Sequence, residues 1–150
     1  MKATVTLQGR GIFAALAEAI HLEARTTASE MAKQQVKNIK TRTQWAAGAD
    51  DAPMPGLTSG YAKYKRGSAI RNLRQSGQMM RDIKAEGAKR SSSGWEAFVA
   101  FSSSRSARIA AFNQARYAWF AFSPNDTQML LRLMTGFGAR VGARLSGGGR

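Results

Sequence analysis

The chain has 150 residues, no cysteine, and 23 Lys and Arg against 9 Asp and Glu, a formal net charge of +14. That length suits one domain, 1–150, with a real core, and a 43% hydrophobic share excludes wholesale disorder. The missing cysteine excludes disulfides and thiolate chemistry, and the lack of any apolar run near ~20 residues or of a leader-like N-terminus predicts a soluble, unexported protein.

Thr4-Val5-Thr6-Leu7 alternates β-branched and other residues and reads as a short strand stopped at Gly9. From Gly11 to about Ile39, Phe13, Leu16, Ala17, Ile20, Ala24, Ala28 and Met31 recur at steps of three and four. That spacing predicts one long helix with an apolar stripe, leaving Glu18, Glu23, Arg25, Glu30 and Lys33 off it. Residues 41–71 lose the period and carry Gly48, Pro53, Pro55, Gly56, Gly60 and Gly67, which predicts a long exposed loop. Trp45, Tyr61 and Tyr64 argue against a mere spacer, and a short helix over Thr58–Lys65 fits within it.

Met80–Glu86 and Trp95–Phe101 alternate and predict a hairpin. Its polar, basic tip, Gly87–Gly94, exceeds the commonest hairpin loops and is expected to be mobile or ordered by a partner. Ala107–Gln114 reads as a short helix and Tyr117–Phe122 as an aromatic strand. Ser123-Pro124-Asn125-Asp126 then supplies a cap, a proline at the first helical position and an acid three residues after the cap. Leu130, Leu133, Met134, Phe137, Val141 and Leu145 run down one side of the helix that follows. Arg132, Arg140 and Arg144 sit elsewhere on it, the last two where the helix dipole favours cations. A flexible tail, 146–150, ends the chain. The expected fold is α+β: a small, mostly antiparallel sheet packed against the long N-terminal helix and the C-terminal helix. Trp95, Phe101, Trp119, Phe120, Leu133 and Phe137 are its expected core.

Catalytic chemistry finds little footing. His21 is the only histidine and lies mid-helix with no metal-ligand partner in spacing. Asp50-Asp51 reads as a solvated turn, and no serine sits in a Gly-x-Ser-x-Gly context. Gly136-Phe137-Gly138 falls inside a helical pattern and fits no phosphate loop, while Gly138 and Gly142 suit close helix packing. No catalytic, cofactor or metal site is therefore expected, and no small-molecule substrate.

Charge points to a binding partner instead. Through Gly60 the balance is 7 basic minus 5 acidic, or +2; from Tyr61 onward it is 16 minus 4, or +12. Such an excess favours acidic partners. Tyr61, Lys63, Tyr64, Lys65 and Arg66 form one basic and aromatic candidate interface, and Lys89 and Arg90 at the hairpin tip form another. The same cations would suit a non-specific nucleic-acid-binding protein, although no sequence-reading motif is present.

The order of motifs resembles the small neck and tail-completion proteins of tailed bacteriophages. The resemblance rests on Pro55-Gly56-Leu57-Thr58-x-x-Tyr61-Ala62-x-x-Lys65, on Leu73-Arg74-Gln75-Ser76-Gly77-Gln78-Met79-Met80-Arg81-Asp82-Ile83, on Ile109–Gln114 and on Trp119–Asp126, spanning about Pro53 to Leu133. It implies a non-enzymatic virion protein, assembled in the host cytoplasm, that forms a homo-oligomeric ring, commonly six-fold. Such a ring completes the tail as its terminator or joins it to the head. The implied partners are other copies of the chain, a head connector or stopper protein, a tail-tube protein and packaged DNA in the lumen, with no membrane. Loops that order only on assembly would leave the free monomer partly ordered.

Overall fold

The computed structural model describes residues 10–64, 73 and 77–147. Helix α1 spans Arg10–Gln44, α2 Ser59–Tyr64 and α3 Gln78–Asp82. Four short strands follow: β1 Ile83–Ala85, β2 Lys89–Ser91, β3 Gly94–Glu96 and β4 Val99–Phe101. Three helices close the chain: α4 Ser104–Tyr117, α5 Pro124–Thr135 and α6 Phe137–Gly147. This is the expected α+β class, with α1 as the spine against which the strands and α5–α6 pack. The predicted strand Thr4–Leu7 lies outside the described residues, as do 148–150 of the tail.

The face that α1 buries differs from the predicted stripe. Ala19, Glu23, Thr27, Ala32, Gln35, Asn38, Ile39, Arg42 and Thr43 are buried, whereas Phe13 and Ile20 are exposed. Leu16, Ala24, Ala28 and Met31 of the predicted stripe are half-buried, and the buried positions start to one side of it, at 19, 23 and 27, then spread across and beyond it at 32, 35, 38, 39, 42 and 43. Polar contacts explain the difference: the buried Glu23 receives Arg140 and Arg144 of α6, and Arg42 reaches Asp126 of α5. Glu23 therefore belongs to the interior, and Arg140 and Arg144 are held by a carboxylate of another helix as well as lying late in their own.

The hairpin forms in two pieces. Ile83 pairs with Phe101 and Ala85 with Val99, while Lys89 pairs with Glu96 and Ser91 with Gly94. Met80–Asp82 is helical, so the first strand begins later than its alternation suggested. The tip, expected to be mobile, is itself a small antiparallel ribbon turning at Ser92-Ser93, with Gly94 at φ +141°. It lies against α1, where Ala88 N–H donates to Ser29 Oγ at 3.2 Å and the Arg25 guanidinium sits 5.7 Å from the Trp95 ring centre.

The loop expected over 41–71 is partly closed. Helix α1 runs to Gln44, then Ala47 bridges Pro53, and Met54 N–H donates to Ala46 O at 2.6 Å. Met54 is buried. The Asp50-Asp51 turn is tied down as well, since Asp51 Oδ2 accepts from Asn125 N–H at 3.2 Å.

The predicted strand Tyr117–Phe122 does not form. Helix α4 continues to Tyr117, and Ala118 then turns in the left-handed region at φ 42°. Side chains satisfy the backbone in place of a ladder. Arg42 donates to the carbonyls of Trp119 and Ala121, each at 2.9 Å, and Phe120 N–H donates to Gln114 Oε1 at 2.6 Å. Trp119 is consequently fully buried among Ile39, Met54, Met79, Met80, Ile83 and Ala110. Phe101 and Phe120 are half-buried and pack on it, with ring centres 6.3 Å and 5.4 Å away. Trp95, Leu133 and Phe137 are also half-buried rather than core.

The Ser123 cap is present in full: its hydroxyl accepts from Asp126 N–H and the Asp126 carboxylate accepts from Ser123 N–H. The C-terminal helix predicted as one piece breaks at Gly136. Arg140 donates to Leu133 O at 2.8 Å across this break, and α6 swings back onto α1.

Candidate interaction surface

Helix α2 buries none of its residues. Tyr61, Lys63 and Tyr64 are all exposed, with the two rings 5.9 Å apart, so the predicted basic and aromatic cluster is presented outward as far as it is described. Lys65 and Arg66 lie outside the described residues. Lys89 and Arg90 are exposed on β2, where Lys89 Nζ is 3.5 Å from Glu86. The two predicted groups thus occupy separate elements.

Three carboxylates are spent internally. Glu23 accepts from Arg140, and from Arg144 Nε at 2.9 Å. Asp126 accepts from Arg42, Gln35 and Ser123 N–H. Asp82 accepts from Ser103 at 2.6 Å, Ser106 at 2.5 Å and Gln78 at 2.8 Å, tying α3 to the start of α4.

Two of them are held below the ordinary carboxylate range. The hydrogen bond from Arg140 is the main cause for Glu23, with burial opposing it and Arg144 and Thr27 adding to it. For Asp82 the Ser103 and Ser106 hydroxyls act first. The unfolded chain therefore binds these protons more readily than the folded one, so acid favours unfolding. Their contribution is present above the unfolded values, about 4.3 for Glu23 and about 3.9 for Asp82, and is lost as pH falls through the lower folded values. Urea midpoints should hold steady from neutral pH to about 5 and fall below about 4. Glu23→Gln should flatten part of that acid limb; an unchanged limb would remove Glu23 from the account.

The remaining surface is unusually apolar. Among the described residues fifteen large hydrophobic side chains are exposed, against twelve buried hydrophobics, four of them alanine. Trp45 is 76% exposed, Phe13 72%, Tyr64 70%, Phe122 62% and Leu131 61%. Trp45 and Met129 edge a groove between α1 and α5 that is also lined by Lys37, Asn38 and Arg42. Asn38 Nδ2 and Arg42 Nε, both buried, have no hydrogen-bond partner. The sequence reading missed this groove because Trp45 sits just beyond the helical period, in the segment expected to be open.

On the short helix expected over Ala107–Gln114, Ile109 and Phe112 are the large apolar side chains available to pack. Instead Ser106 and Ala110 are buried, while Ile109 is 43% and Phe112 58% exposed. Ser103 caps the helix, accepting from Ser106 N–H, so the helix starts three residues earlier than predicted. The apolar pair lies on the outside, with Arg105 and Arg108 exposed on the same helix.

His21 is exposed on α1. Among the described residues no three His, Asp or Glu side chains are grouped to hold a metal ion, and no helix is long and apolar enough to cross a membrane. Comparison with protein-family models, with curated proteins and with solved structures found no match.

Proposed function

We propose that this chain is a structural protein of a tailed-phage neck, a ring subunit that completes the tail or joins it to the head connector. The observation that carries the reading is the excess of exposed large apolar side chains over a small core. A free monomer gains nothing from keeping Phe13, Trp45, Phe122 and Leu131 in water, whereas burial between subunits stabilises by about 25 cal/mol per Å². These residues are distributed over α1, the turn after it, the segment before α5 and α5 itself. A head-to-tail ring uses two different faces of each subunit, and a distributed apolar surface suits that better than one patch does. Exposed Lys63, Lys89 and Arg90 are the cations suited to acidic neighbours or to DNA in the lumen, with Tyr61 and Tyr64 as aromatic surfaces beside Lys63.

Light scattering and negative-stain imaging of the purified chain, alone and with tail-tube and connector proteins, test this. Closed rings of uniform size are expected at high concentration or with those partners. Monomers that stay single under both conditions would refute the ring. The exposed Tyr61–Tyr64 pair beside Lys63 favours a second reading, non-specific nucleic-acid binding. That reading requires a DNA affinity that falls steeply with salt for the isolated monomer.

A further inference from the structure

We infer that the outer face of α4, with the groove beside it, is a docking surface for an acidic amphipathic segment of another protein. The inference goes beyond the neck reading, which places contacts on α1, α5 and the segments beside them, on α2 and on the hairpin tip, and it stands whether or not the chain belongs to a neck.

Helix α4 presents two unlike faces. Its inner face, Ser106 and Ala110 with half-buried Asn113, Gln114 and Tyr117, packs on the core. Its outer face carries Arg105, Arg108, Ile109, Phe112 and Arg116, all exposed. At about 100° per residue these five fall within an arc of about 100°. The Arg116 guanidinium lies 4.3 Å from the Phe112 ring centre, so one aromatic plane already holds a cation over it. Neither Arg105 nor Arg108 meets a carboxylate among the described residues, and α4 contains no acid of its own. Beside this face a groove runs between α3 and α4, lined by Leu73, Gly77, Met79, Arg105 and Ile109.

The chemistry selects the occupant. All three cations are arginines, whose planar forks match carboxylates in pairs. They surround two apolar side chains, which is the arrangement of a protein interface with an apolar centre and a charged rim. A DNA backbone would meet the arginines and leave Ile109 and Phe112 in water. A second copy of this chain lacks the acid: Glu23, Asp82 and Asp126 are buried, Glu86 is paired with Lys89, and the other carboxylates are scattered over α1, the 47–53 turn and the hairpin. A helix or strand from a different protein, with large apolar residues flanked by Asp and Glu, satisfies both halves of the face.

The test uses the full, ¹⁵N-labelled chain and a synthetic helical peptide of leucine and glutamate in amphipathic order. Amide shifts are expected at 105–116 and 77–79. Arg108→Glu and Phe112→Ser should each weaken binding by about ten-fold or more, with the melting temperature unchanged because both side chains are exposed. Lys89→Glu should leave binding within about two-fold, since tip charge lies outside the docking face. Equal binding of a scrambled peptide of the same composition would overturn the inference, as would shifts centred on Tyr61–Tyr64 or no binding at all. A short DNA duplex that displaces the peptide and loses its own affinity in Arg108→Glu would assign the face to nucleic acid instead.

Discussion

Replacing Arg42 with methionine is expected to destabilise the fold by about 3–5 kcal/mol, the cost of leaving one member of a buried ion pair without the other. Arg42 and Asp126 have side chains only 6% and 7% exposed, so little water reaches either group once its partner is gone. Arg42 also donates to the carbonyls of Trp119 and Ala121, which no strand ladder satisfies. Methionine keeps the aliphatic stem and removes every donor, so the loss reads out polar satisfaction rather than packing. Against a total stability of about 5–15 kcal/mol this is about a fifth of the fold or more. Urea unfolding by circular dichroism measures it. A loss below about 1 kcal/mol, the usual worth of an exposed pair, would show that the pair is solvated and does not hold the chain before α5.

Trp119→Ala is expected to cost about 3–5 kcal/mol for a different reason, the cavity left by a fully buried ring. The lower end is favoured, because Met54, Met79 and Met80 line the site and flexible thioether side chains can partly refill it. The phenylalanine variant separates two effects. Trp119 Nε1 is buried with no hydrogen-bond partner, and an unsatisfied buried donor costs about 1–3 kcal/mol. Trp119→Phe gives up ring volume but removes that orphan, so a net loss within about 1.5 kcal/mol is expected. A loss as large as that of the alanine variant would mean that the indole N–H is satisfied after all.

The α+β class, the long first helix and the capped start of α5 were legible because each rests on local rules. Periodicity and capping act over a few residues, and Ser123-Pro124-x-Asp126 formed the reciprocal cap it predicts. The inward face of α1 was not legible, because Glu23, Thr27, Gln35 and Arg42 are buried only by virtue of partners some 80 to 120 residues away. A hydropathy pattern cannot see such partners. The strand expected at Tyr117–Phe122 failed for the same reason: alternation was present, but distant Arg42 and Gln35 took the carbonyls. Of the candidate interface, the exposure of Tyr61, Lys63, Tyr64, Lys89 and Arg90 was foreseen correctly. The outward face of α4 was missed, since Ile109 and Phe112 look like core residues until Ser106 and Ala110 are found to take that role.

The seam between α1 and α6 is closed largely by Glu23 with Arg140, Arg144 and Thr27, and Val141 is the buried residue α6 contributes. Peeling α6 away would therefore uncover little oil-like area, and the heat-capacity change and denaturant slope of that step would be small. Such an opening escapes a global melting curve yet gives fast amide exchange along the last helix, marking it as the part that yields first. A chain built this way keeps its aromatic centre intact when its last helix opens, and because Glu23 is buried in the seam, added salt lowers the cost of that opening only modestly.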